Sequence, residues 1–122
     1  MAEGKQLEFT DSLKLNYEFR RAYRKGRSAA EPCLVVYARR NGKAGNRLGF
    51  TVSNKLGCAV VRNRVRRKLR EIYRLNEGRL CRGHDVVVVA RSRSVGADYW
   101  RLEREFLKAC AGLGLLTEEN EE

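Results

Sequence analysis

Histidine, proline and long apolar runs are scarce in this chain of 122 residues, and each scarcity narrows what the protein can do. His84 is the single histidine, and the four cysteines, Cys33, Cys58, Cys81 and Cys110, stand far apart with no CxxC pair. Local spacing therefore assembles no zinc site. No apolar run approaches the ~20 residues of a membrane span, and no secretory signal opens the sequence. We expect a cytoplasmic protein with no membrane partner, whose thiols are reduced and buried.

Acidic residues do not converge along the sequence. Asp85 and Asp98 are isolated, and Glu103 and Glu105 are two apart on a predicted helix, hence on different faces. Cleavage of a phosphodiester by two metal ions requires carboxylates that converge on the metals. The sequence thus indicates no catalytic residue and no metal ligand on the protein.

Basic residues, in contrast, are abundant. Lys and Arg number 26 against 15 Asp and Glu, a net charge of +11. Four of those acids lie in the last six residues, TEENEE, so residues 1–116 hold 26 basic against 11 acidic side chains, a charge of +15. Hydrophobic residues make up 43%, too many for a disordered polycation. We therefore predict one folded domain over residues 1–116, a disordered acidic tail over 117–122, and a polyanionic partner.

The positive charge is densest between Arg62 and Arg74, where thirteen residues, RNRVRRKLREIYR, include seven basic side chains and one acid. On a helical wheel at about 100° per residue, the apolar positions form one stripe of Val61, Val65, Leu69 and Ile72. A solvated surface helix is the alternative, but such helices mix both signs to gain ion pairs. Because the arginine guanidinium group forms bidentate hydrogen bonds with phosphate, the pattern indicates a nucleic-acid-binding surface. A membrane surface is disfavoured, since the stripe carries no Trp or Phe to insert.

Helical and alternating patterns predict the other elements. A first helix runs from an N-cap at Asn16 to Gly26, and a last helix is capped by Asp98. Residues 32–40 and 47–53 alternate as strands joined by a hairpin loop, 41–46, and DVVVVAR at 85–91 is typical of a central strand buried on both faces. Residues 1–10 are expected to be mobile until bound. The order helix, strand, strand, helix, strand, helix predicts an α+β sandwich. This order does not determine which strands are neighbours in the sheet.

One long phrase resembles a known family. The sequence GFTVSNKLGCAVVRNRVRRKLREIYR, with NYEFRRAYRKG upstream and DVVVVAR downstream, is similar to the protein subunit of bacterial ribonuclease P. The most specific element is the RNR signature at Arg62, Asn63 and Arg64. It is followed at the family's positions by Arg66, Arg67 and Arg70. The resemblance spans about residues 14–113.

The resemblance implies an α-β sandwich of the ribosomal protein S5 domain 2-like type, ordered helix-strand-strand-(strand)-helix-strand-helix, with a left-handed βαβ crossover. It also implies an accessory subunit of an endoribonuclease that removes the 5′ leader from precursor tRNA. The implied partners are ribonuclease P RNA and the precursor's leader, with no protein partner required and no cofactor bound by the protein alone. Mg²⁺ would be held by the RNA subunit, which performs the catalysis.

Two sets of RNA-contacting residues follow from the resemblance. The set for the catalytic RNA is Arg62, Asn63, Arg64, Arg66, Arg67 and Arg70. The set for the 5′ leader is Phe19, Tyr23, Tyr37, Lys55, Ser53 and Arg91. Aromatic faces suit a leader of varied sequence, because bases of any identity stack on them. Alternatives stay open for four of these residues: Phe19 and Tyr23 could pack in the core beneath the first helix, Ser53 could cap a strand end, and Arg91 could simply close a strand.

Two rival interpretations remain. A non-enzymatic RNA-binding module, such as a ribosomal protein, would account equally well for the charge and the fold. A self-sufficient protein nuclease would cleave RNA without a partner RNA. The RNR phrase in its setting, combined with the aromatic residues, favours the ribonuclease P interpretation.

Overall fold

The structure is a computed structural model that describes residues 7–117. Within this range the chain forms five strands and three helices. The strands are β1 (Thr10–Ser12), β2 (Arg27–Ala30), β3 (Leu34–Arg40), β4 (Asn46–Thr51) and β5 (His84–Ala90). The helices are α1 (Asn16–Lys25), α2 (Ala59–Asn76) and α3 (Tyr99–Gly112), and short 3-10 turns cover Asn54–Leu56, Glu77–Arg79 and Ser92–Ser94.

The strands form one mixed sheet in the order β1-β4-β5-β3-β2. β4 and β5 are parallel neighbours, and α2 connects them, so β4-α2-β5 is a βαβ unit. β3 pairs antiparallel with both β5 and β2, and β1 pairs parallel with β4. The α+β class predicted from the sequence is confirmed.

The hairpin predicted at residues 41–46 is wrong. β3 and β4 are not neighbours, because β5 lies between them and pairs with both. The reason is the composition of β5: Val86, Val87 and Val88 are all at most 1% exposed. Only a central strand of a sheet covered on both faces buries such a run completely.

Helices cover the two faces of the sheet unequally. On one face, α2 and α3 enclose the main core, which includes Leu34, Val36 and Val88 from the sheet and Ile72 and Phe106 from the helices. On the other face, α1 covers a smaller cluster of Leu13, Ala22 and Val87. Phe19, Tyr23, Tyr37 and Val89 lie at the border of this cluster and are only partly buried. The second face is therefore the one left partly open.

The ends of the helices follow the predictions with one exception. Asp98 Oδ1 accepts a hydrogen bond of 2.8 Å from the Arg101 amide and caps α3 as predicted. Asn16 is not the N-cap of α1, because the helix begins at Asn16 and the capping position is Leu15. The backbone amides of Lys14 and Leu15, just before the helix, both donate to Glu18 Oε1, at 2.9 and 3.0 Å.

The segment before β1 is attached to the fold. The nearly buried carboxylate of Glu77 accepts hydrogen bonds from the amides of Glu8 and Phe9 and from Thr10 Oγ1, at 2.7–3.0 Å. Thr10 Oγ1 also shares a 2.8 Å hydrogen bond with Tyr73 Oη. The expected mobility of residues 1–10 is therefore wrong for residues 7–10, and residues 1–6 lie outside the described range. β1 and β2 escaped prediction because their three and four residues carry no alternating apolar pattern.

Two further expectations concern the thiols and the tail. All four cysteines are free, but only Cys33 and Cys110 are buried, while Cys58 is exposed just before α2. Burial raises the pKa of the Cys110 thiol to about 12.

Of the predicted acidic tail at 117–122, only Thr117 lies in the described range, where its amide donates to the Arg79 carbonyl at 2.8 Å.

Candidate nucleic-acid interface

The outer face of α2 is a basic surface with little internal neutralisation. Its apolar stripe turns inward, with Val65, Leu69 and Ile72 at most 3% exposed. Among the described residues, one acid of this helix forms an ion pair, Glu71 with Arg74 at 2.6 Å. The remaining arginines, which make no ion pair with any acid of residues 7–117, are Arg62, Arg64, Arg66, Arg67 and Arg70. This is the arrangement expected of a surface whose counter-charge comes from a polyanion.

The predicted catalytic-RNA set does not lie on a single face. Asn63, Arg64, Arg67 and Arg70 are exposed, whereas the Arg62 Nε donates to the Gly57 carbonyl at 3.1 Å. Arg66 donates to Asn63 Oδ1 at 3.1 Å and leans toward the sheet. Arg66 and Arg70 thus border the space between α2 and α1.

That space is a cleft along the free edge of β4, which we call the β4-edge cleft. Because β1 pairs with Asn46–Leu48 and ends there, the outer edge of β4 from Gly49 to Thr51 has no strand partner in the described range. The hollow measures about 500 Å³ and is lined by Asn16, Phe19, Arg20, Tyr23, Phe50, Thr51, Val52 and Arg66. It continues past Phe19 and Phe50 into a second hollow of about 370 Å³ that reaches Arg70.

Aromatic side chains form the α1 side of this cleft. The Tyr23 and Tyr37 rings meet edge to face with their centroids 4.9 Å apart. Tyr23 Oη and Thr51 Oγ1 share a hydrogen bond of 2.6 Å, which fixes the tyrosine over the end of β4. Phe19 lies beside them and both packs on the small cluster and lines the cleft, so its two possible roles are not alternatives. Phe19 and Tyr23 therefore line the cleft opposite the arginines of α2, whereas Tyr37 contacts Tyr23 from β3 and does not line the cleft.

Gly49 allows the Phe19 ring to lie against β4. A Cβ built on Gly49 would stand 2.5 Å from two carbons of that ring. A glycine inside a strand often marks such a close approach, so Gly49 is the signal in the sequence that could have pointed to this contact. Phe50 and Thr51, the next two residues, were not predicted as site residues but line the cleft.

A cluster of charged side chains connects α1 to the sheet. Arg47 on β4 donates from Nε and Nη2 to the two carboxylate oxygens of Asp85, both at 2.9 Å, and from Nη1 to Glu18 Oε2 at 2.7 Å. Asp85, 1% exposed, also receives Arg39 Nη1 at 3.3 Å and Asn41 Nδ2 at 3.0 Å. Asp85 is isolated in the sequence but is the centre of this network in the fold.

The ion cluster shifts the acidities of its carboxylates. Burial opposes charging of Asp85, but hydrogen bonds from Arg47 and Asn41 hold its pKa below the ordinary value. The backbone amides of Leu15 and Lys14 lower the pKa of Glu18. Both acids are therefore ionised at neutral pH, and Glu18 ties the start of α1 to Arg47, one residue before Phe19.

Comparison with known proteins identifies the family. The family model described as Ribonuclease P matches residues 7–114. This chain belongs to the ribonuclease P protein family. A ribonuclease P protein component from Natranaerobius thermophilus is 44% identical over 97 residues, covering 80% of this chain and 84% of the relative. The one from Alkaliphilus metalliredigens is 40% identical over 111 residues, covering 91% and 100%.

Solved structures of the ribonuclease P protein family share the fold. The Staphylococcus aureus RNase P protein aligns with a TM-score of 0.80 and 30% identity over 87% of this chain and 97% of that one. The Thermotoga maritima RNase P protein aligns with a TM-score of 0.74 and 33% identity over 80% and 93%. Family membership and the α-β fold implied by the sequence resemblance are thus confirmed.

Three residues assigned to the leader by family resemblance lie at the end of the sheet where β4 and β5 end. Ser53 Oγ accepts from the Lys55 amide at 3.1 Å, which makes it the cap of the 3-10 turn. Lys55 is exposed on that turn. Arg91 follows β5 directly, and its Nη1 donates to the Glu31 carbonyl at 3.1 Å. None of the three lines the β4-edge cleft, although Ser53 and Lys55 continue the chain beyond Val52.

The described residues contain no group of three or more His, Cys, Asp and Glu side chains placed to hold a metal ion. Within residues 7–117 there is also no helix with the length and apolar character required to cross a membrane.

Proposed function

We propose that the chain acts as the protein component of ribonuclease P and contacts RNA through two surfaces. As a member of this family it is the accessory subunit of the ribonucleoprotein that removes the 5′ leader from precursor tRNA. In the proposal, the outer face of α2 docks on ribonuclease P RNA, and the β4-edge cleft holds the single-stranded leader. No further protein partner is required, and the complex works in the cytoplasm.

The observation that carries the proposal is the composition of the β4-edge cleft. Phe19 and Tyr23 offer rings on one side, and Arg66 and Arg70 offer guanidinium groups on the other. A single strand has bases to stack and phosphates to neutralise, and a groove with both kinds of side chain matches it regardless of sequence. A double helix presents neither free base faces nor a strand narrow enough for this groove.

The chemistry is assigned to the RNA subunit. Mg²⁺ bound by that RNA would supply the metal-activated hydrolysis, and the protein would supply binding. Leader contacts would increase affinity for precursor over mature tRNA, because mature tRNA has no leader to fill the cleft. Neutralised phosphates at α2 would lower the magnesium concentration needed for the RNAs to associate.

Reconstitution tests the proposal. The purified protein is mixed with a bacterial ribonuclease P RNA at low magnesium, and 5′ processing of a precursor tRNA is followed. We expect strong stimulation by the unaltered protein, weak stimulation by Arg64→Gln/Arg67→Gln, and full stimulation by the charge-matched control Arg93→Gln/Arg104→Gln. A protein that binds the RNAs without stimulating processing would instead be an RNA-binding module of the ribosomal protein kind.

A further inference from the structure

A second basic cavity lies at the end of the sheet opposite the β4-edge cleft. It measures about 520 Å³, and its lining includes Arg40 at the end of β3 and His84 at the start of β5, which are paired across the sheet. Since β4 and β5 are parallel, the start of β5 and the end of β4 are at opposite ends of the sheet. We call this cavity the basic pocket. It shares no lining residue with the β4-edge cleft.

Four different parts of the chain bring five positive charges to the basic pocket. The cationic side chains are Lys25 from the end of α1, Arg27 from β2, Arg39 and Arg40 from β3, and Arg82 before β5. The remaining lining residues are Ala38, Cys81, His84, Leu113 and Gly114, so no described acid lines the cavity. Unlike the basic positions of α2, these residues are far apart in sequence, and only folding assembles them. Their convergence costs repulsion that a bound anion would relieve.

Three of these cations are already occupied, and two are available. Arg39 pairs with Asp85, an Arg27 Nη2 donates to the Leu113 carbonyl, and the Arg82 guanidinium lies 4.3 Å from the centroid of the Phe9 ring. Lys25 and Arg40 are exposed and make no ion pair with an acid among residues 7–117. The fixed cations shape the pocket, and the two free side chains can close on a ligand.

His84, on the same wall, has a ring nitrogen without a hydrogen-bond partner. Its Nδ1 is buried and has no hydrogen-bond partner among the described residues, an unusual condition for a buried polar atom. Burial lowers the pKa of this imidazole, and Arg40 and Arg27 lower it further. The ring is thus neutral at neutral pH when the pocket is empty. An anion beside it would favour the charged ring, and the pKa would rise.

We infer that the basic pocket binds phosphate groups. Clustered guanidinium and ammonium groups with no lining acid fit the charge and the several acceptor oxygens of phosphate. Resting on the proposed function, we assign these phosphates to the backbone of an RNA that the protein also contacts elsewhere. The pocket would then be a third point of RNA contact, separate from α2 and from the leader.

Inorganic pyrophosphate is the first probe, and the single histidine makes the pocket visible by NMR. The His84 ring signals are followed as pyrophosphate is added to the full chain, and the His84 pKa is measured with and without it. We expect saturable shifts and a raised His84 pKa, because a bound anion favours the charged ring. The charged side chains that line the pocket with His84 are Lys25, Arg27, Arg39, Arg40 and Arg82, and the Cys81 side chain lines the same wall.

The test variant is Lys25→Gln/Arg40→Gln, which alters two exposed side chains and leaves His84 as the reporter. We expect its affinity for pyrophosphate to fall about tenfold or more, since hydrogen bonds to charged groups are the stronger ones. The control Arg93→Gln/Arg104→Gln loses the same charge at exposed positions outside the pocket and should bind normally. Absent His84 shifts, or equal shifts in both variants, would overturn the inference.

A second arm identifies the source of the phosphate without relying on catalysis. Binding of ribonuclease P RNA and of precursor tRNA is measured against salt concentration for the same two variants. If RNA supplies the phosphates, Lys25→Gln/Arg40→Gln will flatten the salt dependence for one RNA by up to about 0.9 per lost contact. If both RNAs bind both variants alike while pyrophosphate binding is lost, free phosphates are the ligand and the RNA assignment is overturned.

Discussion

Gly49 and Phe19 are in such close contact that a single methyl group on the glycine would stand 2.5 Å from the aromatic ring. The glycine belongs to β4 and the phenylalanine to α1, so this contact sets the distance between the helix and the sheet at the β4-edge cleft. Leu13 bounds the same spot, 3.2 Å from the added atom. The ring lines both hollows of the cleft, so its displacement by such a methyl group would alter the cleft.

Gly49→Ala should therefore change ligand binding more than stability. The ring of Phe19 is the flexible end of a side chain and can rotate away, but the space it enters is the proposed leader site. We expect weaker binding of precursor tRNA and unchanged binding of mature tRNA, measured as two Kd values by filter binding. Gly112→Ala is the control, because nothing lies within 4 Å of a Cβ at that position. Equal losses for precursor and mature tRNA would place the effect outside the cleft.

Removing an aromatic face from the cleft should have a related effect. Phe19→Leu keeps an apolar side chain for packing and removes a stacking surface that lines the cleft. Stacking contributes about 1–3 kcal/mol per base, so precursor binding should weaken about five- to 150-fold for each stacked base lost. Trp100→Leu is the matched control, since this aromatic is exposed and lies on α3, outside the cleft. If Trp100→Leu weakens precursor binding as much, the cleft is not the leader site.

The arginines of α2 should separate into two functional classes. Arg64→Gln/Arg67→Gln alters the exposed outer face and should lower affinity for ribonuclease P RNA, with a salt slope smaller by about 0.9 per lost phosphate contact. Arg66→Gln/Arg70→Gln alters the wall of the cleft and should also reduce the preference for precursor over mature tRNA. Both double variants remove two charges, so titrations at several salt concentrations compare them directly. Identical behaviour of the two would show that α2 presents one undivided surface.

Acid should weaken the fold through the cluster around Asp85. The pKa values of Asp85 and Glu18 are lowered in the folded protein, so their stabilisation is present above the unfolded pKa values near 4 and is lost as pH falls below them. Asp85→Asn breaks a buried ion pair and should lower the free energy of unfolding by about 3–5 kcal/mol at pH 7.

Urea denaturation at pH 7 and pH 3 checks this expectation. The difference between the wild-type protein and Asp85→Asn should shrink at pH 3, because below an unfolded pKa near 4 the unfolded carboxylate binds a proton that the native ion pair disfavours. Asp11→Asn, at an exposed position of β1, is the control and should unfold like the wild-type protein at pH 7. A difference that stays constant with pH would mean that the charge of Asp85 contributes nothing to folding.

Much of the architecture was predictable from local pattern. The stripe from Val65 to Ile72, the cap at Asp98 and the uniform valines of β5 each express a preference of a few neighbouring residues, and the structure bears all three out. β1 and β2 were missed because three or four polar or small residues gain strand structure only from their partners. The hairpin predicted at 41–46 was wrong because a favourable turn sequence does not prevent a third strand from pairing between the two strands that the turn connects.

The sequence by itself determined that α2 is basic on one side and apolar on the other, and the RNR signature with its flanking phrase determined the family. Those features are periodic or contiguous, so they can be recognised before folding. Only the tertiary structure decided that Arg66 and Arg70 face the aromatic residues of α1, that Arg47 links Glu18 to Asp85, and that Lys25, Arg40 and His84 share a pocket. Glu18 and Arg47 are 29 residues apart, and Lys25 and His84 are farther still. Such neighbours are chosen by strand order and by burial of the whole core, which no local pattern encodes.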